Sequence, residues 1–549
     1  MKKLVCIFLL FVPSLCFASA ANVWISQTAQ TPYTGGGNCN GQDTSAVTFF
    51  NSSSSWGSGS AQIGPGTIVH LCGIITTELA FQGSGTSGNV VELLFESGAS
   101  IQISPGMDSN GIINLGSYSY ILIDGGANTP CGWNTATNTS EGSCNGQIEN
   151  MLYGSSGATC PGGTCTTEYS STGNNMINGS GSNVEIRNLQ IGPSYIHVST
   201  YSGGTDDPNG CGCVGATSGS NWNIHDNKLH DALWCINIQW DSGTMSNINV
   251  YSNEIYYASH DLAVDGGGSS SISLNDFALY GNYIHDSYNW DTQADDDHAD
   301  GIHFFTSNGT GNVSGVAIYN NIFGGNTGAD VTGAIFDEEF TTFNTVAIFN
   351  NLDIRTTSPN AGSSNHFWGP AECDSSCFVY NNTMARQTVT GGNLDLGYST
   401  YAMEATIENN VNQGASNLVT VSASSPSLTL NYNAYGPNGG GIWAWEGTFY
   451  DTLASWQSVS GEGSSSFYNS TSLGLSGSYA PTTGSPLIGA GVNVCTANPT
   501  FCTNYPAIKS DLAGNARPSS GAWTIGAYNY VATTLPALSR KGMFARLLL

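Results

Sequence analysis

The sequence predicts an all-β solenoid, in which short strands wind into stacked parallel coils. One asparagine-containing motif recurs through the middle of the chain, and short runs of alternating apolar and polar residues lie between its copies. The 70 glycines are typical of a chain with many turns. Only 9% of the residues are charged, so the good helix formers Lys, Arg and Glu are scarce and long helical bundles are disfavoured.

The repeated motif is an apolar residue, two variable positions, an Asn, a variable position and usually a second apolar residue. The motif asparagines are Asn227, Asn253, Asn282, Asn321, Asn351, Asn382, Asn410 and Asn433. Their spacing of 23 to 39 residues is typical of stacked coils and not of a closed globule. Asn tolerates the left-handed backbone of a turn, and stacked amides can hydrogen-bond from coil to coil.

Further short strands are expected between these asparagines. The segments with nearly alternating patterns are 235–239, 262–265, 301–305, 334–337 and 393–396. Side chains on a strand point alternately to its two faces. Two or three strands per coil is the arrangement of a parallel β-helix.

Charge and composition exclude several classes of function. The 549 residues include 11 Lys and Arg against 39 acidic residues, for a formal net charge of -28. Nucleic acids and anionic membranes are poor candidate partners, because both are bound mainly through Lys and Arg. A hydrophobic content of 40% argues against disorder. After the N-terminal leader, no segment approaches the roughly 20 apolar residues needed to span a bilayer.

The N-terminus predicts secretion. Lys2 and Lys3 precede the apolar run 4–17, and Ala18-Ser19-Ala20 follows, so we expect a signal peptide cleaved after Ala20. The mature chain then contains 13 cysteines, an odd number that leaves at least one without an intrachain partner. Several are close enough in sequence to staple loops in an oxidising compartment: Cys131/Cys144, Cys160/Cys165, Cys373/Cys377 and Cys495/Cys502.

With these repeats the chain resembles the secreted bacterial right-handed parallel β-helix proteins of the pectate-lyase-like superfamily. Segments 63–71 and 120–126 resemble the first coils of that fold, and 484–491, 511–518 and 525–528 resemble its C-terminal closure. The predicted organisation is a signal peptide over 1–20, a capping segment over 21–65, a β-helix over 66–440, a closing region over 441–530 and a flexible tail over 531–549. The resemblance does not select an activity, because the superfamily contains lyases, hydrolases, epimerases and non-catalytic proteins.

Acidic residues concentrate on the coils between Asn253 and Asn351. The predicted catalytic residues are Asp265, Asp300, His303, Asp337 and Glu338. If Val264, Ile302 and Phe336 point inward, strand alternation turns Asp265, His303 and Asp337 outward on three consecutive coils. Glycosidic cleavage uses two facing carboxylates about 5–10 Å apart, which neighbouring coils can supply.

The same acidic region contains one candidate metal site. Asp295, Asp296 and Asp297 are three adjacent carboxylates that could supply oxygen ligands to calcium. No dense calcium-binding loop sequence is present, so no cofactor is certain and calcium is the only candidate. Asp300-Gly-Ile resembles the Asp-Gly element of pectin-cleaving hydrolases, but the other expected elements of that group are not present as such.

Five residues are predicted to bind substrate. Arg355 and Arg386 each follow a motif asparagine by four residues, so they should stack on adjacent coils and could track an acidic sugar. Trp290, His366 and Trp368 lie near the acidic coils, where an indole can stack on a sugar ring. An ordinary surface column for the arginines, and a core position for each tryptophan, remain open alternatives.

These observations predict a secreted or cell-surface protein that acts on extracellular polysaccharide. Hydrolysis by paired aspartates is favoured over β-elimination, because the cations that neutralise a uronate are few. The alternatives are a uronate polysaccharide lyase of the pectate-lyase type and a non-catalytic adhesive β-helix.

Overall fold

The computed structural model describes residues 22–103, 110–126, 131–135, 137–151, 159–160, 163–164, 175–194, 212–267, 271–287, 299–306, 310–328, 331–338, 340–357, 365–397, 403–423, 426–437 and 442–532. Several predictions fall on residues outside these ranges: the signal peptide over 1–20, Trp290, Asp295, Asp296, Asp297 and the tail beyond 532.

The described chain forms the predicted right-handed parallel β-helix. Its strands lie on three faces, which are called here the first, second and third sheets. The first sheet contains, in spatial order, Ser45–Ala46, Asn22–Ser26, Ile68–Leu71, Val91–Phe95, Ile121–Asp124, Val184–Arg187, Trp222–His225, Thr244–Tyr251, Ser273–Tyr280, Asn312–Tyr319, Thr342–Phe349, Cys373–Tyr380, Met403–Glu408 and Ser427–Asn431. Every pairing between the described strands of this sheet is parallel, and from Ile68–Leu71 onwards each strand pairs with the next strand of the sheet along the chain.

The second and third sheets share four long strands that turn the corner between them: Lys228–Trp240, Glu254–Gly266, Thr383–Leu396 and Val411–Val421. The second sheet also contains Ile74–Ile75, Ser100–Ile103, Gly146–Asn150, Leu189–Ile191, Tyr283–His285, Ile322–Gly324, Leu352–Asp353, Ala434–Tyr435 and Phe467–Tyr468. The third sheet adds Leu79–Ala80, Ile113–Gly116, Asn175–Gly179, Gly212–Ala216, Ala299–Thr306, Val331–Asp337, His366–Ala371 and Ile442–Trp445.

Short elements complete the fold. The remaining strands are Trp133–Asn134, Thr139–Ser140, Thr159–Cys160, Gly163–Thr164, Asn326–Thr327, Thr356–Thr357 and Thr448–Tyr450. The helices are Val47–Phe50, Leu453–Ser460, Val494–Ala497 and Pro499–Asn504, with 3₁₀ turns at Gly37–Cys39, Ser53–Ser55 and Pro506–Lys509. None of the helices in the described ranges is long and apolar enough to cross a membrane.

The motif asparagines form a continuous buried ladder. Each amide nitrogen from Asn227 to Asn410 donates to the amide oxygen of the next motif asparagine at 3.0–3.1 Å. The same oxygen also accepts the backbone N–H of the preceding motif asparagine, as Asn321 Oδ1 does from Asn282 N at 3.1 Å. The left-handed residue of each turn is the one before the ladder asparagine, for example Asp226 and Asn320, both with φ 55°. The motif asparagine is therefore required for its side-chain hydrogen bonds and not for a left-handed backbone conformation.

The two ends of the predicted β-helix differ from simple caps. Strand Asn22–Ser26 already pairs with Ile68–Leu71 in the first sheet, so part of segment 21–65 continues the coil. At the other end, helix Leu453–Ser460 buries Trp456 against the last coil. The chain beyond 484 then returns along the side of the rod, where Asn381 Nδ2 donates to Thr524 O at 3.1 Å.

Disulfides confirm three of the four close cysteine pairs, which join Cys131 to Cys144, Cys373 to Cys377 and Cys495 to Cys502. A fourth disulfide, Cys39–Cys72, joins residues 33 positions apart and was not predicted. The pair Cys160/Cys165 lies partly outside the described residues. The disulfides indicate an oxidising, extracellular setting.

Replacement of a ladder asparagine should strongly destabilise the protein. Asn321→Ala removes the acceptor for Asn282 N and the donor to Leu279 O, both buried. Each unsatisfied buried group costs about 1–3 kcal/mol, so we expect a loss of at least about 2 kcal/mol in the free energy of unfolding. Denaturant unfolding measures it. Asn249→Ala, which removes a half-buried Asn–Asn bond on the surface of the first sheet, is the matched control. Equal losses in the two variants would contradict the proposed importance of the ladder.

Stability should also depend on pH through Glu408. Burial raises the pKa of Glu408 from 4.5 to about 7. Since the folded-state pKa exceeds the unfolded one, its contribution to stability is complete below about pH 4.5 and is lost as pH rises through about 7. Glu408→Gln should therefore raise the thermal midpoint more at pH 8 than at pH 4.5. Exposed Glu404 lies on the same strand, and Glu404→Gln, which removes the same charge, should show a smaller pH-dependent gain.

Candidate functional site

Most of the predicted acidic and histidine residues lie on three neighbouring strands of the third sheet. Glu254–Gly266 pairs with Ala299–Thr306, which pairs in turn with Val331–Asp337. Val264 and Phe304 are paired and belong to the hydrophobic core, so the residues on either side of them face outward. We define the outer wall as the surface formed here by Asp265, His303, Phe305 and Glu338.

Asp265 and Glu338 occupy one column of the outer wall, where Asp265 is 7% exposed and the Glu338 side chain is 36% exposed. Asp265 is paired with Phe305, and Glu338 follows the pair between Phe304 and Asp337, which places it beside Phe305 on the next strand. The backbone N–H of Glu338 donates to Phe304 O at 3.0 Å and extends that ladder by one residue. Two strand spacings separate the backbones of the two acidic residues, or about 9.5 Å, with Phe305 on the strand between them.

His303 lies between two carboxylates, that of Glu338 on the outer wall and that of Asp300 behind it. Its Nε2 lies 3.2 Å from Glu338 Oε1, and its Nδ1 lies 3.7 Å from Asp300 Oδ2. The imidazole stacks on Phe336 at 4.7 Å and on Phe305 at 4.4 Å between ring centroids. The outward orientation predicted for His303 is therefore the one that the structure shows.

Asp300 lies behind His303 and is completely buried. Its Oδ1 accepts the backbone N–H of Gly333 at 2.9 Å, and burial raises the pKa of this carboxyl well above its usual value. The third group beside it is His260, whose Nε2 lies 3.7 Å from Asp300 Oδ2. His260 was not among the predicted site residues, although its position one strand before Asp300 follows from the repeat register.

The predicted outward orientation of Asp337 is wrong. Its strand partner is Phe304, so it stands in the inward column, and Phe336 instead faces outward beside His303. Ile335 and Phe336 are consecutive apolar residues, so alternation alone did not fix which one points inward, and the choice of Phe336 was one residue out of register. The Asp337 carboxylate is buried and accepts hydrogen bonds from Trp368 Nε1 at 2.6 Å and Glu372 N at 2.5 Å. Burial raises the pKa of Asp337.

Trp368 is not a sugar platform. Its side chain has no exposed surface, belongs to the core and is paired with Ile335 and Leu394 on the neighbouring strands. Its indole N–H is the donor to Asp337. The sequence analysis kept a core position as the alternative for this tryptophan, and Trp368 occupies that position. Both faces of its ring are inaccessible to substrate.

The predicted arginine column exists, but it is buried. Residues 352–353 pair with 383–384, which places Arg355 and Arg386 at equivalent positions on adjacent coils, as expected. Both guanidinium groups reach Asp353: Arg355 with Nε–Oδ1 at 2.9 Å and Nη2–Oδ2 at 3.0 Å, Arg386 with Nε–Oδ2 at 3.4 Å. Asp353 stands in the core column of Phe323 and Met384. With 2% exposure each, the two arginines cannot track an acidic sugar.

His366 belongs to the same buried network. Its carbonyl oxygen accepts from Arg355 Nη2 at 2.7 Å, and its Nε2 lies 3.5 Å from Asp395 Oδ2. Burial, with added repulsion from Arg386 and Arg355, lowers the pKa of His366 to about 3. The ring is therefore neutral and is held within this buried network, which gives no support to the predicted contact with substrate.

Comparisons with known proteins give fold neighbours without a family. No protein-family model matches the chain, and no curated protein matches it. Among solved structures, the chain is similar to the pectate lyase Pel9A, with 12% identity, TM-score 0.39 and coverage of 94% of this chain and 97% of that one. It is similar to XylC in complex with xylose at 9% identity and TM-score 0.43, covering 93% and 98%. It is also similar to PfbA, a surface adhesin of Streptococcus pneumoniae, at 10% identity and TM-score 0.36, covering 70% and 85%. Similarity at this level assigns no activity to the chain.

Removal of the carboxylate between the arginines should destabilise the protein severely. Asp353→Asn leaves two buried guanidinium groups without their shared anion, and breaking a buried pair in this way costs about 3–5 kcal/mol. Denaturant unfolding at neutral pH measures the loss. Glu185→Gln removes a half-exposed partner of Arg187 and should cost less than about 1 kcal/mol. Similar values for the two variants would show that the buried network contributes no more than a surface ion pair.

Proposed function

We propose that the chain is a secreted carbohydrate-active enzyme that hydrolyses glycosidic bonds of a polysaccharide, with Asp265 and Glu338 as its two carboxylates. The observation that carries this proposal is their shared column on the outer wall, where their backbones lie two strand spacings apart across the sheet, or about 9.5 Å. Inverting glycosidases use two carboxyl groups about 6.5–9.5 Å apart, with space for a water molecule. One carboxyl protonates the glycosidic oxygen while the other activates that water, so hydrolysis inverts the anomeric carbon.

The other residues of the outer wall support this arrangement. Phe305 lies on the strand between those of Asp265 and Glu338 and is partly exposed, so its ring can pack against the apolar face of a sugar. His303 holds Glu338 through its Nε2 atom and is a positioning residue in this mechanism. The parallel strands give a rigid, linear surface, which suits an extended polysaccharide better than a small glycoside.

The basic residues of the repeats favour hydrolysis over β-elimination. A lyase needs a cation to neutralise the uronate carboxylate beside the proton that is removed. Each described Lys or Arg in the coils is engaged by a carboxylate: Arg187 by Asp124, Lys228 by Glu254, and Arg355 and Arg386 by Asp353. These ion pairs hold the four cations in place, and none of the four belongs to the outer wall.

The proposal is tested with a panel of neutral and acidic polysaccharides. The mature protein should release new reducing ends from at least one of them, with inversion visible by NMR. Asp265→Asn and Glu338→Gln should each lower the rate by about 10²–10⁴-fold, as expected for loss of a general acid or base. Glu404→Gln, on the first sheet, should leave the rate unchanged.

Three results would contradict the proposal. Products with the absorbance of unsaturated uronates would identify a lyase. Binding to a polysaccharide without any product would identify an adhesive protein. Unchanged release of reducing ends in both wall variants, with thermal midpoints that show they are folded, would place the hydrolytic site elsewhere.

A further inference from the structure

Three side chains of different character converge on one point behind the outer wall. His260, Asp300 and His303 each offer a ligand atom, and the three atoms lie within 4.8 Å of one another. Asp300 Oδ2 is 3.7 Å from both His260 Nε2 and His303 Nδ1. Two bonds of about 2.0–2.1 Å that meet at a tetrahedral angle place their ligand atoms about 3.3–3.4 Å apart, so a side-chain shift of a few tenths of an ångström brings each pair into range of one shared cation.

The cluster is held in place by the strand register. His260 and Asp300 are directly paired on adjacent strands, and His303 is paired with Ala263 on the same two strands. The three side chains are 7%, 0% and 3% exposed. Their positions are therefore fixed by backbone hydrogen bonds and by burial, not by a loop, which is the arrangement that binds a metal with little loss of side-chain entropy.

The outer nitrogen of each imidazole has a polar neighbour of its own. His303 Nε2 lies 3.2 Å from Glu338 Oε1, and His260 Nδ1 lies 3.3 Å from Ser259 Oγ. Metal-bound histidines nearly always use the second ring nitrogen in this way, which fixes the tautomer and the ring orientation. In both residues the nitrogen on the other side of the ring is the one that faces Asp300.

We propose that His260, Asp300 and His303 bind one divalent transition-metal ion of the zinc class. Two imidazoles and one carboxylate are ligands that suit zinc, cobalt, nickel or iron. Calcium prefers six to eight oxygen ligands and does not fit this site; the calcium site predicted at Asp295, Asp296 and Asp297 is a different one and lies outside the described residues. The proposal does not depend on the carbohydrate activity, because metal binding is measured without substrate.

The test uses the mature protein, stripped with a chelator and then exposed to ZnCl₂ or CoCl₂. After removal of free metal, about one equivalent of zinc should remain, as for a site with three protein ligands. Bound cobalt should show visible absorption bands. His260→Gln and Asp300→Asn should each weaken binding by at least about 100-fold, because loss of a ligand leaves an incomplete coordination set. His230→Gln, on the second sheet and outside the cluster, should bind zinc as the unaltered protein does.

A measurement without variants keeps the test decisive if a substitution prevents folding. The X-ray absorption spectrum of the zinc-loaded, unaltered protein should show nitrogen and oxygen ligands, with scattering from two imidazole rings and none from sulfur. The proposal is wrong if the stripped protein retains no stoichiometric zinc, if His260→Gln and Asp300→Asn bind as tightly as the unaltered protein, or if calcium displaces the zinc.

Discussion

The buried asparagine ladder fixes the register of the coils between Asn227 and Asn433. Each ladder amide donates to the next asparagine and to a backbone carbonyl, and its oxygen accepts two N–H groups, as at Asn321. A slip of one residue would break these bonds and exchange the inward and outward faces of the strands that follow. The stacking of Asp300 on His260 and of His303 on Ala263 is a consequence of this fixed register.

The same register explains why several acidic residues can lie inside the rod. Each inward-facing carboxylate has a hydrogen-bond donor close by. Asp337 accepts from Trp368 and from the N–H of Glu372. Asp353 accepts from Arg355 and Arg386, and Asp261 accepts from Ser287 Oγ. Each of these carboxylates would be costly to bury alone. The acidic residues of the chain therefore lie either on the solvated surface or at a few internal positions where a hydrogen-bond donor or a cation is close by.

The fold and the coil positions were predictable from the sequence, whereas the direction of several side chains was not. The asparagine spacing identified the coils, and the offset of four residues placed Arg355 and Arg386 on adjacent coils. Their burial depends on Asp353, which the offset does not reveal. Similarly, alternation predicted the outward position of His303 but failed at Asp337, because Ile335 and Phe336 fit the core equally well by character. A partner about 30 residues away, Trp368, decided between them.

His303 links the two proposals made for the outer wall. Its Nε2 faces Glu338, which the proposed hydrolysis places against substrate, and its Nδ1 faces Asp300 in the proposed metal site. A metal ion on Nδ1 would require the proton to sit on Nε2, where it is donated to Glu338. Metal binding would then fix the orientation of the carboxylate that contacts the sugar without itself touching the substrate. The metal would act through the geometry of Glu338, so its removal should disturb catalysis through that side chain and not through loss of a reacting group.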